Sequence, residues 1–510
     1  MPADSLYELI RSMNAEEKRA FKIQAKKYSP KDGKKYLRLF DFFDGLRDYD
    51  AKKVKQALAH QSLGNQPHVT KAYLTEQLLE VLVRKYEHED FHYDFQRRLA
   101  HADVLFAKGH YDAALKRVRK LSILAEQSGR PLLVLQAGQL IEKITIRLSD
   151  PELFGELLEK ELVRQNKALQ QHELYLHYRK ISMQLIFLVS RQSASTLSKK
   201  QELDLKTIGN ELRRKLPLFA TSETAILRLG TLTLYHRYMD QLDPALDYAL
   251  EALDLALSAD TAKLSGGTNS LVNLYNNASM LLSLKGDMKR LDPLSRRVLA
   301  YPAKNKSERI LMEERVNVSR LTQNIAFGRY DHTDTLVPVM EKFLAEHDHS
   351  LSHFGKTLIP YNIMCHYFNT GRFKPALKWL NKLVNYDFDH MAKYMIENIL
   401  LIELLIHFEL DNTDLLHSRL VGNEKMMYRY NTYSRLEETI ILYLLRISKL
   451  TAKEQVSQFL LLRDECTEMK KDPLLVRRFG DFAYDLWIET HLTGKNIAKL
   501  SAEKSAPVQK

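Results

Sequence analysis

The sequence predicts an all-α solenoid, in which helical hairpins stack in a row instead of folding around one compact core. The main observation is a turn signal that recurs about every 43 residues, clearest at Gly109–Leu115 (GHYDAAL) and Gly371–Leu377 (GRFKPAL). Such a period indicates one structural unit stacked on copies of itself. The second observation is composition: 510 residues include only 18 Gly and 14 Pro, which favours long helices joined by short turns.

Residues 1–92 are predicted to form a separate helical module. Asn14 and Glu17 have the spacing of a capping box, which marks the start of a helix. A break at Gly64 comes before a long helix that has Pro67 in its first turn, where proline is well tolerated. The module is therefore expected to hold at least three helices ahead of the repeats.

Residues 93–425 are predicted to hold the repeats, each marked by the turn between its two helices. The markers are Gly109, Ser149, a polar stretch near Ser193, Asp240, Gly286, Gly328, Gly371 and Asp411. Each unit is expected to contain two helices of roughly fifteen to twenty residues. Residues 426–494 are expected to form capping helices over the last repeat, and the polar stretch 495–510 is expected to be disordered.

Three residue types recur at fixed offsets: a turn Gly, an aromatic residue two positions later and an Ala five positions after the Gly. In the two clearest units they are Gly109, Tyr111 and Ala114, and Gly371, Phe373 and Ala376. The pattern resembles that of tetratricopeptide repeats in a degenerate form, with a period longer than the usual 34 residues or so. The resemblance implies a right-handed α-solenoid. The N-terminal stretch LYELIRSMNAEEKRAFKIQA is also similar to the start of uncharacterised bacterial repeat proteins.

Four asparagines are the candidate peptide-binding residues. Asn277 and Asn362 each lie nine residues before the turn glycine of their unit. The resemblance implies that this position faces a concave groove, where an Asn amide can both donate to and accept from a peptide backbone. Asn273 and Asn369 lie on roughly the same helix faces. The alternative interpretation is that these amides are ordinary polar groups or bond neighbouring helices.

A basic run near the N-terminus suggests a second class of partner. The chain carries a net charge of +12, and Lys18, Lys22 and Lys26 form one helical stripe that Lys34 follows. Such a stripe could contact the phosphates of a nucleic acid. It could equally be the solvated face of a helix. The alternative function is therefore a nucleic-acid-binding regulator, with the N-terminal module as reader and the repeats as sensor.

No motif of a known catalytic class is present. The sequence lacks Gly-x-Gly-x-x-Gly, P-loop, Gly-x-Ser-x-Gly and His-Glu-x-x-His patterns, so we expect neither enzymatic activity nor a cofactor. His349 and His353 are spaced for one metal ion, but no third ligand follows at a known spacing, so no metal site is predicted.

The sequence predicts a cytoplasmic localisation. Only two cysteines are present, no signal peptide is evident, and no apolar stretch is long enough to span a bilayer, so no membrane partner is expected. Taken with the repeats, the sequence predicts a cytoplasmic scaffold that binds a protein or peptide and performs no catalysis.

Overall fold

The computed structural model describes most of the chain. The described ranges are 5–28, 33–46, 54, 67–87, 90–190, 199–258, 267–303, 305–348, 351–385, 391, 393–430, 434–472, 475, 479 and 482–505. Every regular element within these ranges is helical, which confirms the all-α class. None of the described helices is long and apolar enough to cross a membrane.

The N-terminal helices enclose an apolar core of their own. They are α1 (Ser5–Ser12), α2 (Ala15–Tyr28), α3 (Gly33–Gly45) and α4 (Pro67–Tyr86). The fully buried rings of Phe40 and Phe43 lie in this core. The predicted capping box is confirmed. The backbone N–H of Asn14 donates to Glu17 Oε2 at 2.7 Å, and the backbone N–H of Glu17 donates to Asn14 Oδ1 at 3.0 Å. The break predicted at Gly64 lies outside the described residues.

The middle of the chain is a succession of helices joined mostly by short turns. The first are α5 (Phe91–Ala107), α6 (Tyr111–Gln127), α7 (Pro131–Leu148), α8 (Pro151–Glu156), a π-helical turn (Leu157–Glu161), α9 (Leu162–Ser190), α10 (Lys199–Arg213), α11 (Ser222–Tyr238) and α12 (Leu242–Ser258). They are followed by α13 (Gly267–Leu284), α14 (Met288–Leu299), α15 (Lys306–Ala326), α16 (Tyr330–His347), α17 (His353–Asn369), α18 (Phe373–Val384), α19 (Lys393–Glu409) and α20 (Thr413–Arg429).

The last helices pack on the same core as the preceding hairpins. They are α21 (Arg435–Ile447), α22 (Ala452–Met469), α23 (Tyr484–Thr493) and α24 (Ile497–Ser505). One continuous apolar cluster extends from Ile310 in α15 to Leu500 in α24. The boundaries proposed at residues 92 and 425 stay predictions.

The turn markers that fall on described residues all lie between two helices, and each adopts a positive φ. The φ angles are 83° at Gly109, 70° at Gly286, 68° at Gly328, 77° at Gly371 and 56° at Ser149, Asp240 and Asp411. At Gly371 the Arg372 amide nitrogen donates to the Tyr367 carbonyl at 2.8 Å, the six-to-one bond of a Schellman motif. The marker near Ser193 lies outside the described residues.

At six of the seven described markers, the position five residues later is buried where two helices meet. These buried residues are Ala114, Ala245, Leu291, Thr333, Ala376 and Leu416. The exception is Phe154, five residues after Ser149, which is 36% exposed. Thr333 is accommodated because its hydroxyl donates to the Arg329 carbonyl at 3.1 Å, which satisfies the polar group inside the joint. Ala114 and Ala376, the alanines of the two clearest units, are both fully buried.

One unit departs from the predicted pair of helices. From Pro151 to Ser190 the chain is helical without interruption, through α8, the π-helical turn and α9. The sequence holds no Gly or Pro between Gly155 and Ser190, so nothing ends the helix there. The early part of α9 contacts α7, and the later part packs on α11. This long helix therefore links two successive sets of hairpins.

Neighbouring hairpins are joined by side-chain hydrogen bonds between residues 38–40 positions apart. The pairs are Ser279 with Ser319, Thr322 with Asn362, Glu314 with Ser352, and Glu341 with Trp379. Each bond therefore joins helices that are two elements apart along the chain.

The C-terminal stretch differs from the predicted disorder. Residues 497–505 form α24, in which Ile497 and Leu500 are buried. Asn496 caps the helix, because its Oδ1 accepts from the Lys499 amide nitrogen at 2.9 Å, and its Nδ2 donates to the Thr370 carbonyl at 3.2 Å. Contacts with distant residues therefore order this stretch, whose own sequence is too polar to predict a helix. Residues 506–510 lie outside the described part of the chain.

The buried joint leads to a stability prediction for Ala114→Leu. The larger side chain would overpack the contact between α5 and α6 and should lower the free energy of unfolding by about 1–3 kcal/mol. The control is Ala113→Leu, because Ala113 is the adjacent alanine and is exposed. Thermal unfolding followed by circular dichroism measures both. Equal midpoints for the two variants would show that Ala114 is not at a tight joint.

Candidate functional site

Two of the four candidate asparagines are buried between helices. Asn362 and Asn369 are each 4% exposed. Asn362 Nδ2 donates to Thr322 Oγ1 at 3.0 Å, and Asn369 Nδ2 donates to the Tyr330 hydroxyl at 2.9 Å. The expectation that Asn362 presents its amide to solvent is therefore wrong. The reason is that α17 is covered on nearly all sides, so both amides bond neighbouring helices instead of a ligand.

The other two candidates, Asn273 and Asn277, are exposed on α13. A third exposed asparagine, Asn269, precedes them by one helical turn. From Gly267 to Ser283 these three are the exposed positions, and every other residue is buried or half-buried. We call Asn269, Asn273 and Asn277 the asparagine row. Asn269 is not among the residues predicted from the sequence, because it does not share the nine-residue distance of Asn277 from a turn glycine, although its spacing of four residues from Asn273 is visible in the sequence.

The spacing of the asparagine row matches an extended peptide. Four residues of helix rise about 6.0 Å. Two residues of extended chain rise about 6.6 Å, and this is the distance between peptide groups that point the same way. Asparagine is also a weaker helix former than Lys, Glu or Gln, so helix stability does not favour three asparagines in one exposed line. The row therefore presents amides at intervals suited to a peptide backbone.

The lysines of the alternative site are only partly available. Their salt bridges are Lys18 Nζ to Asp44 Oδ1, at 2.6 Å, and Lys22 Nζ to Asp41 Oδ1, at 2.7 Å. Lys26 is exposed. Lys34 is the second residue of α3, and its side chain lies outside the described residues. Two aspartates of α3 thus offset the charge of α2. The stripe is not an unopposed cationic surface of the kind that phosphate binding favours.

A cleft of about 310 Å³ lies beside the middle of α9, where α5, α7 and α11 begin. Its lining mixes apolar and polar groups, among them Leu132, Leu133, Gln136, His172, Tyr175 and Thr221. The rings of His172 and Tyr175 stack with centroids 6.2 Å apart, and Leu132 is exposed. Burial, together with the nearby Glu223 carboxylate, raises the pKa of Tyr175. The tyrosine therefore stays a neutral hydrogen-bonding group. The cleft could hold an apolar side chain with polar groups at its rim.

Near the turn at Gly371, His366 is fully buried beside a charged pair. Arg372 Nη2 lies 2.6 Å from both Asp334 Oδ1 and His366 Nε2. His366 Nε2 also lies 3.0 Å from Asp334 Oδ1, so it donates to the carboxylate when it carries a proton and accepts from Arg372 when it does not. Burial lowers the pKa of His366, although the Asp334 carboxylate acts in the opposite direction. The folded state therefore favours the uncharged ring.

The described residues contain no group of three or more His, Cys, Asp or Glu side chains that could hold a metal ion. His349, one of the two histidines spaced for a metal, lies outside the described part of the chain. No protein-family model matches this sequence, and no curated protein is significantly similar to it.

The contrast between the asparagines gives a matched stability test. Asn362→Ala removes an inter-helix hydrogen bond in a buried site and should lower the free energy of unfolding by about 1–3 kcal/mol. Asn277→Ala removes an exposed amide and should change it by less than about 0.5 kcal/mol. Urea denaturation of both variants checks the difference. A similar loss in both would contradict the assignment of Asn277 to an exposed line.

His366 leads to a pH prediction. Because its pKa is lower in the folded state than the ordinary value of 6.5, the unfolded state takes up the proton first as the pH falls. Stability should therefore be lost as the pH falls through about 6.5. His366→Gln should reduce this loss, because glutamine can accept from Arg372 and does not titrate. The loss of stability is measured as the change in thermal midpoint between about pH 8 and pH 5.5. The control variant is His332→Gln, because His332 is exposed. Identical pH profiles for wild type and His366→Gln would refute the prediction.

Proposed function

We propose that this chain is a non-catalytic scaffold that binds an extended peptide segment of a protein along the asparagine row of α13. In this proposal the hairpins form a right-handed α-solenoid of degenerate tetratricopeptide-like units. The observation that carries the proposal is that Asn269, Asn273 and Asn277 occupy the exposed positions of α13 from Gly267 to Ser283. A line of amides can pair with both the N–H and the C=O groups of a peptide backbone.

The electrostatics of α13 favour a peptide backbone over a phosphate chain. The helix contains no charged residue from Gly267 to Leu284. A nucleic acid would be drawn to concentrated positive charge, and α13 offers none. The lysine stripe of α2 carries less unpaired positive charge than the sequence suggested, because Lys18 and Lys22 each form a salt bridge with an aspartate. A protein or peptide is therefore the better-supported partner.

Two further features support the proposal. The cleft beside α9 provides a second place where an apolar side chain of a protein partner could be buried, against Leu132 and Leu133. Both cysteines, Cys365 and Cys466, are free thiols in the interior, which suits the reducing cytoplasm proposed for the protein.

The proposal predicts that the asparagine row can be removed with loss of binding but without loss of stability. Peptides selected from a random displayed library on the wild-type protein should bind a variant with Asn269, Asn273 and Asn277 all replaced by Ala at least about fivefold more weakly. Each lost amide leaves a peptide group unpaired. The thermal midpoint should hold or rise, because alanine is the better helix former.

The matched control replaces three exposed asparagines on other helices, Asn166, Asn210 and Asn381, by Ala. This variant should bind the selected peptides as the wild type does. Selected peptides that bind the row variant and the wild type equally would exclude the row as the site. Failure to select any peptide would count against the scaffold function itself.

A further inference from the structure

The long helix α9 carries a line of exposed apolar side chains. Leu169, Leu176 and Met183 follow each other at intervals of seven residues and are all well exposed, as is Phe187 one turn later. A seven-residue interval drifts by only about 20° around an α-helix, so these side chains form one stripe. From Leu169 to Phe187 the stripe is about 27 Å long. Exposed apolar side chains in such a contiguous line mark an interaction surface.

Leu176, at the centre of the stripe, points away from the buried core beneath α9. Tyr178 and Leu185 are buried in the cluster that joins α9 to α11. They lie two and nine residues after Leu176, which corresponds to about 200° and 180° around the helix. Leu176 therefore projects from nearly the opposite side to the core.

Charged residues beside the stripe are arranged symmetrically about its centre. Glu173 lies three residues before Leu176 and Lys180 lies four after it, and both are exposed. Seven residues apart, they lie on the same flank of the stripe. When two copies of α9 pair in antiparallel orientation about Leu176, a two-fold axis brings Glu173 of each copy opposite Lys180 of the other. The same operation packs Leu169 of each copy near Met183 of the other.

The charges also discriminate against the parallel arrangement. A parallel pair would bring Lys180 of each copy beside Arg179 of the other, since Arg179 occupies the opposite flank at the same height. Like charges in contact disfavour an interface, and opposite charges set its orientation. The antiparallel pair satisfies both glutamates and both lysines, so the surface is complementary to itself.

We propose that this stripe is a homodimer interface, in which α9 pairs with α9 of a second copy in antiparallel orientation, centred on Leu176. The interface uses residues separate from the asparagine row. It therefore stands independently of the proposed peptide-binding function. Pairing through α9 would place the two copies on either side of one central helix pair.

Sedimentation equilibrium of the full chain over a concentration series tests the proposal. The wild type is expected to show a concentration-dependent dimer, and Leu176→Glu is expected to be monomeric. The control is Leu415→Glu on α20, because Leu415 has the same exposed fraction as Leu176, 51%. This control should dimerise as the wild type does.

The charge pair provides the sharper test. Glu173→Lys and Lys180→Glu should each weaken the dimer at least fivefold, because each change places like charges opposite each other twice. The double variant Glu173→Lys/Lys180→Glu restores both pairs in reversed sense and should recover most of the lost affinity. A monomeric wild type, a dimer that survives Leu176→Glu, or a double variant no tighter than the single ones would each overturn the proposal.

Discussion

The tight turn inside each hairpin is the constraint on which the rest of the structure depends. One residue must adopt a positive φ, so that the amide after it can bond a carbonyl near the end of the first helix, as Arg372 does with Tyr367. A glycine accepts this conformation at little cost. At Ser149, Asp240 and Asp411 a short polar residue takes its place. Because the turn is nearly the same each time, the residue five positions later is buried where the helices meet, except after Ser149, where Phe154 is exposed.

The turns were readable from the sequence because their chemistry is local. A Gly or Asp before a helix start carries the information within a few residues, and Ala114 and Ala376 follow at a fixed distance. The exposure of the asparagines was not readable in this way. The distance of a residue from the turn glycine sets its height on the helix and the direction of its side chain. Asn362 and Asn277 share that distance. They differ in exposure because neighbouring helices cover α17, whereas this face of α13 is open. Which face stays open is a property of the stacking, which no short window of sequence contains.

Two other differences have similar origins. The absence of helix breakers after Gly155 was visible, but the expectation of a regular period outweighed it, and the chain forms one long helix there. In α24, Ile497 and Leu500 are too few to show a helical period. Their burial depends on distant parts of the chain.

Polar contacts between hairpins give the stack its register. Apolar helix faces alone would tolerate sliding, since burial is not directional. A slipped hairpin would leave Asn362, Asn369 and the buried Glu314 carboxylate without partners. Burial raises the pKa of Glu314, and its bonds to Ser352 partly offset this. These groups favour one alignment of neighbouring units over the others.

The contact of the last helix with much earlier turns bears on how the chain folds as it is synthesised. Asn496 bonds Thr370, 126 residues back, and Ser501 lies against Gly328. Hairpins such as α5–α6 need only local partners, so they can form while the ribosome is still elongating the chain. The turns at Gly328 and Gly371 stay uncovered until Asn496 and α24 have been synthesised. Packing around these turns is therefore completed late, and a truncation that removes α24 with Asn496 would expose surface far from the cut.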